Sequence, residues 1–177
     1  MFFDAAGIAK FAKGNIQIPV SGPFLQVNSE GVGTPLLEGP ITMGDAIECL
    51  PFSNTVVMLD MTGAEIRKVL NEAAWYSLNS GSTSAFHYAA GLRYDVNLSG
   101  GEGDVIFNIE MLDEETGTWT AIDENATFTV ATNSFTALGK DNYLTFKDVR
   151  DADPTKFEDT YITYYIPSLI LLSFRAT

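Results

Sequence analysis

Two short stretches hold the side chains best placed to meet a ligand. One is Pro51-Phe52-Ser53-Asn54; the other runs from Asn133 to Tyr143 and contains Phe135, Gly139, Lys140 and Asp141. Loop aromatics offer flat faces to a planar molecule and a carboxylate accepts from hydroxyl groups, although taken alone such Phe residues read more readily as core. Bond-breaking chemistry is harder to find. A serine-type triad needs a positioned histidine, and a two-metal hydrolytic centre needs a cluster of His, Asp and Asn ligands, whereas this chain has only His87. Within Ala-Phe-His-Tyr-Ala, His87 reads as a structural histidine with a satisfied hydrogen bond rather than a catalytic base. The carboxylates Asp148, Asp151, Asp153, Glu158 and Asp159 lack the spacing and turn glycine of an EF-hand loop and read as a solvated acidic turn. Cys49, the single cysteine, has no partner thiol for a disulfide and too few companions for a zinc cluster; it reads as a small buried apolar residue.

The elements that must position these loops follow from the hydrophobic pattern. Residues 2–13 carry a helical face and end at Gly14, and 16–20 and 24–27 are short apolar runs before a glycine-rich loop over 28–39. Thr42-Met-Gly-Asp45 is a capping box that opens a short helix to Leu50, which Pro51 stops. Residues 55–61 form a β-type run. Thr62-Gly-Ala-Glu65 is a second capping box, starting a longer helix with Ile66, Val69, Leu70, Ala73 and Ala74 on its buried side. Four strands are expected at 91–97, 105–112, 118–122 and 127–132, the middle two joined as a hairpin through Glu115-Thr-Gly-Thr118. Residues 155–172 read as a closing helix interrupted by Pro167. This mixed order of helices and strands, with an antiparallel hairpin and without GxGxxG or GxxxxGK[ST], predicts an α+β domain with a mixed β-sheet and packed helices, not a doubly wound nucleotide fold.

Length and composition narrow the function. The 177 residues, 46% apolar with 12 Phe, 7 Tyr and 2 Trp, suffice for a single domain with its own core over residues 1–177. A formal charge of −13 is the wrong sign for tracking a phosphate backbone, so nucleic acid is not an expected partner. No run reaches the roughly 18 apolar residues of a spanning helix; the richest, 164–174, contains Pro167 and belongs to the core or to a partner face. No basic region followed by an apolar run marks a signal peptide near the start.

Read together, the motifs resemble the C-terminal domain of the 5'-nucleotidase and UDP-sugar hydrolase family, metallophosphoesterases of the periplasm or cell exterior. The matching stretches are Gly39-Pro-Ile-Thr-Met-Gly-Asp45, Leu50-Pro-Phe-Ser-Asn-Thr55, Leu59-Asp-Met-Thr-Gly-Ala-Glu-Ile66, Gly91-Leu-Arg-Tyr94, Val130-Ala-Thr-Asn-Ser-Phe135 and Gly139 to Tyr143. The resemblance implies a substrate-binding domain in which a base stacks between Phe52 and Phe135, Asp141 holds the ribose and Asn28 contacts the base. Asn133, Gly139, Lys140 and Gly33 are secondary candidates at the same loops. It also implies a nucleoside or nucleotide ligand, a metallophosphoesterase domain or subunit as partner, and divalent metals only on that partner. No cofactor is expected in this chain.

The departures from the family pattern are specific. Its loop Asn-Gly-Gly-Gly-Ile-Arg falls on Asn28-Ser-Glu-Gly-Val-Gly33, so the substrate-contacting Arg becomes Gly33 and Glu30 enters. Its Gly-Gly-Asp-Gly-Tyr reads Gly139-Lys-Asp-Asn-Tyr143, where Asn142 tolerates unusual backbone angles better than Lys140 does. Retention of Phe52, Phe135, Asp141 and Asn28 favours a working ligand site; the changes at Gly33, Glu30 and Lys140 favour a scaffold domain that no longer binds nucleotide.

Overall fold

The computed structural model describes residues 24–27, 42, 44, 52–80, 85–113 and 116–163. The helix expected over 2–13, the run at 16–20, the loop over 28–39, Cys49 and the 164–174 run lie outside the described residues, as do Asn28, Glu30 and Gly33, and of the helix expected over 42–50 only Thr42 and Gly44 are described.

Among the described residues two sheets form. The larger is mixed, in the order β3 (His87–Ala90), β1 (Phe24–Val27), β7 (Thr127–Asn133), β2 (Thr55–Thr62) and β8 (Phe157–Thr163). Only β1 and β7 run parallel; the other neighbours are antiparallel. The smaller sheet is an antiparallel meander of β4 (Leu92–Val96), β5 (Ile106–Asp113) and β6 (Thr118–Ala121). The expected β5–β6 hairpin is present, with Gly117 at φ +71 in its turn.

Helix α1 (Gly63–Asn79) joins the two sheets, and its start is the capping box legible in the sequence. The Glu65 backbone N–H donates to Thr62 Oγ1 at 3.2 Å, and the Thr62 N–H donates back to the Glu65 carboxylate at 2.7 Å. Gly63 is required here by close approach, because a Cβ would stand 2.2 Å from the carbonyl oxygen of Asp123. Ile66, Val69, Leu70, Ala73 and Ala74 pack into a core with Val57, Leu59 and Met61 of β2 and Ile106 and Ile109 of β5. On the same face Asn71 is buried and doubly paired to one backbone unit: it accepts from the Ile106 N–H at 2.8 Å and donates to the Ile106 carbonyl at 3.1 Å. An unpaired backbone group there would cost free energy, so this amide is what lets the small sheet end against a buried helix.

Three expectations are corrected. Residues 157–163 are the edge strand β8, not a closing helix. Phe157, Thr160, Tyr161, Ile162 and Thr163 are aromatic or β-branched and suit a pleated surface, and β2 offers them an open edge, with Leu59 opposite Phe157 and Thr55 opposite Thr163. The register shifts between these pairs, and at the bulge Tyr161 takes φ +56 with 85% of its surface exposed. Second, the five carboxylates do not share one acidic turn. Asp148 and Asp151 lie on helix α3 (Leu144–Ala152), Asp153 caps the following 3-10 turn by accepting from the Thr155 N–H at 3.0 Å, and Glu158 and Asp159 lie on β8. Hydrogen bonds from Lys147 and Arg150 hold the Asp151 carboxyl below its ordinary range.

Third, His87 is buried as a structural residue, but among the described residues its ring lacks the satisfied hydrogen bond expected of it. It is fully buried, and neither ring nitrogen has a partner among the described residues. Its neighbours are rings: Phe86 stacks at 5.2 Å and Tyr94 lies tilted at 5.2 Å. Burial lowers its pKa to about 3, so the imidazole is neutral.

Candidate functional site

The two candidate loops meet because β2 and β7 are antiparallel neighbours. The residue pair Val56–Asn133 lies at the start of β2 and the end of β7, so the loop before one strand and the turn after the other emerge together. A cross-link fixes them: the Thr55 N–H donates to Ser134 Oγ at 3.1 Å. Phe52, three residues before Thr55, is 53% exposed, and Phe135, one residue after Ser134, is 40% exposed. Two large aromatics are thus left accessible at one end of the main sheet.

Asn133 ends β7 and caps the short helix α2 (Ser134–Ala137), accepting from the Thr136 N–H at 3.0 Å. Below it, the buried hydroxyls of Thr132 and Thr136 pair at 2.9 Å. Asn133 therefore has a local capping task, and Phe135 is presented from a helix whose first turn is fixed by its neighbours.

After α2 the chain turns sharply. Gly139 is left-handed at φ +79, and a Cβ there would press on the Lys147 side chain at 3.0 Å. Asp141 and Asn142 are also left-handed, at φ +53 and +65, whereas Lys140 is not. Where the family pattern has glycine, Asn142 therefore meets a real conformational demand, which Asn satisfies better than most residues, and Lys140 meets none. Lys140 is exposed beside Asp141, which is only part-buried.

This turn is anchored from α1. The Asn142 Nδ2 donates to the Glu72 carbonyl at 3.1 Å, while the Glu72 carboxylate accepts from the Thr145 N–H at 2.9 Å and its hydroxyl at 2.8 Å. Helix α3 has no capping side chain of its own; Glu72 supplies one from another helix, with its negative charge at the positive end of the dipole. Between these anchors Tyr143 is fully buried, donates to the Ala85 carbonyl at 2.8 Å and stacks on Phe146 at 5.5 Å. Burial, then the neighbouring Tyr94 and Asp141, push its phenol well above the ordinary value and keep it neutral. Glu72, Asn142 as a latch, and Thr145 were not singled out from the sequence, where a Glu on a charged helix face carries no signal of a cap more than seventy residues away.

Among the described residues no group of three or more His, Cys, Asp and Glu side chains could hold a metal ion. No helix among them is long and apolar enough to cross a membrane.

A family described as 5'-nucleotidase, C-terminal domain, matches residues 20–148. The NAD 5'-nucleotidase of Haemophilus influenzae is 38% identical over 136 residues, covering 76% of this chain and 23% of that protein. A probable 5'-nucleotidase of Treponema pallidum is 37% identical over a similar stretch, covering 22% of its length. The chain thus spans less than a quarter of either relative. The solved structure of the H. influenzae NAD nucleotidase superposes with a TM-score of 0.83 at 33% identity, over 97% of this chain and 30% of that one. The 5'-nucleotidase precursor of Thermus thermophilus gives 0.79 at 27% identity, over 95% and 31%.

Proposed function

The chain belongs to the 5'-nucleotidase C-terminal domain family, and from that premise we propose that it is the nucleoside- or nucleotide-recognising domain of a 5'-nucleotidase-like phosphohydrolase. The observation that carries the reading is the placement of two exposed aromatics, Phe52 and Phe135, at one end of the sheet on loops fixed to each other through Thr55 and Ser134. In this reading a base stacks between the two rings, Asp141 accepts from the ribose hydroxyls and Asn28 contacts the base. Each base–aromatic stack contributes about 1 to 3 kcal/mol with little preference among bases, so base specificity is broad.

Catalysis belongs to a metallophosphoesterase domain or subunit that would hold the divalent metals, and this chain by itself hydrolyses nothing. In keeping with the family resemblance, the protein works in the periplasm or outside the cell. With Gly33 in place of the loop Arg, a phosphate finds no bidentate clamp and meets the field of a −13 chain. Lys140 is the cation beside Asp141 that offsets part of this, and the nucleoside binds at least as well as its monophosphate.

Isothermal titration with adenosine, uridine, AMP and UDP-glucose, repeated on Phe52→Ala and Phe135→Ala, tests the reading. Binding that both substitutions abolish supports it. AMP binding tighter than adenosine by about tenfold or more without metal refutes the phosphate argument, and no heat or thermal shift with any of the four ligands refutes a working site and favours the scaffold reading.

A further inference from the structure

The geometry points to Glu72 of α1 as the positioning residue for the ribose-binding carboxylate, setting how strongly the site tells a ribonucleoside from one lacking its hydroxyls. The inference rests on the nucleoside reading above and deepens it. Asp141 sits in the middle of a turn whose backbone is left-handed at 139, 141 and 142. Non-glycine residues enter that region only at a cost, and two consecutive ones persist only where surrounding structure holds them.

On the C-terminal side Glu72 bonds the chain at two points, on either side of the buried Tyr143. The Glu72 carbonyl takes the Asn142 amide at 3.1 Å, one residue beyond Asp141, and the Glu72 carboxylate takes both the N–H and the hydroxyl of Thr145, four residues beyond. That carboxylate is only 16% exposed, so its bonds to Thr145 are sheltered from competing water, and its nearest cation, Lys68 Nζ, is at 3.7 Å. On the N-terminal side the Gly139 N–H donates to the Thr136 carbonyl at 2.8 Å, and a Cβ on Gly139 would press on the Lys147 side chain. Glu72 acts through the angle at which Asp141 leaves the turn and need not touch the ligand. Base stacking depends on Phe52 and Phe135, whose loops are tied to each other through Thr55, Ser134 and Asn133. The Phe135 helix continues into the turn through the bond from the Gly139 N–H to the Thr136 carbonyl, but the bonds to Glu72 are made beyond Asp141, so a substitution at Glu72 falls first on the carboxylate's side of the site.

The test is titration of adenosine and of 2',3'-dideoxyadenosine against the wild-type chain, Asp141→Ala, Glu72→Ala, Glu72→Gln and the double variant Asn142→Gly/Thr145→Val. Hydrogen bonds to a charged acceptor predict a wild-type preference for adenosine of about tenfold or more, removed by Asp141→Ala. Glu72→Ala is expected to bring that preference below about threefold while dideoxyadenosine binding stays within about twofold, and Glu72→Gln, which keeps an acceptor for the Thr145 N–H, to restore most of it. An undiminished preference in Glu72→Ala, or an equal loss for both ligands, overturns the inference. Should Glu72→Ala fail to fold by circular dichroism, the double variant Asn142→Gly/Thr145→Val decides the matter: it removes the amide donor to the Glu72 carbonyl and the hydroxyl donor to its carboxylate while leaving Glu72 in place, and an unchanged preference there also overturns the inference. If the wild-type chain binds neither nucleoside, or Asp141→Ala leaves the preference intact, the nucleoside reading itself fails and this one with it. Collapse in Asp141→Ala beside an intact Glu72→Ala sinks the positioning role alone.

Discussion

Replacing His87 with Phe should abolish most of the loss of stability that the protein suffers through this site between about pH 7 and pH 5. His87 is the single histidine of the chain, and its ring has no partner that could stabilise a proton among the described residues. Its folded pKa is lowered by burial from 6.5 to about 3. The unfolded chain therefore takes up a proton as the pH falls through 6.5 while the folded chain does not, so stability is fully present above 6.5 and declines until the folded group also titrates, near 3. The linkage slope is about 1.4 kcal/mol per pH unit, which amounts to about 2 kcal/mol between pH 7 and 5 and about 5 kcal/mol if carried to completion. Asp151 and Asp153, whose pKa values are lowered from 3.8 by hydrogen bonds to Lys147 and Arg150 and to Thr155 respectively, lose their contributions only as the pH falls further, so this window isolates the imidazole. Urea denaturation of wild type and His87→Phe at both pH values measures the difference directly, and the general effect of the −13 charge cancels between them. The flat Phe ring keeps the stack on Phe86. If the wild type and variant lose stability in parallel, to within about 0.5 kcal/mol, burial of a neutral His87 is refuted.

Asn71→Leu should cost about 2 to 4 kcal/mol, because it strands the N–H and carbonyl of Ile106 against a buried helix; loss of hydrogen-exchange protection at the Ile106 amide, as well as a lower urea midpoint, is the expected signature. Gly139→Ala should destabilise by about 1 to 2 kcal/mol through its φ of +79 and the Lys147 side chain and should weaken adenosine binding with it, both read by thermal shift and titration. Tyr161→Gly should be neutral or stabilising by up to about 1 kcal/mol, since the residue is 85% exposed at φ +56; a clear loss in the melting midpoint would show that its ring packs on something.

Where short-range chemistry decides the structure, the sequence was readable. The Thr62–Glu65 box needs only four residues, and it starts α1 as expected; strands β4 to β7 announce themselves by alternation and by the turn at Gly117. What escaped depends on partners far along the chain. Strand β3 is four residues, His87–Ala90, and exists because β1 lies beside it. Helix α3 buries only Thr145, Phe146 and Val149, too narrow a stripe to stand out among Lys147, Asp148, Arg150 and Asp151. The apolar spacing of strand β8 fits a helix or a strand, and the deciding fact, the edge of β2 on which it pairs, is about a hundred residues away. The candidate site divides in the same way. Phe52, Phe135 and Asp141 are marked by their motifs, while the support from Glu72 is a tertiary cap with no sequence signature.

The strand order has a consequence for the protein while it is being made. Strand β2, Thr55–Thr62, is largely buried, yet both of its neighbours, β7 and β8, are encoded more than sixty residues later. During synthesis α1 and the β4–β6 meander can form from contiguous chain, but Val56, Val57, Met58, Leu59 and Met61 must wait with both hydrogen-bonding edges open. The nascent chain therefore carries an apolar, unpaired strand until Thr127–Asn133 has been made, and the Phe52 and Phe135 loops come together only when that wait ends.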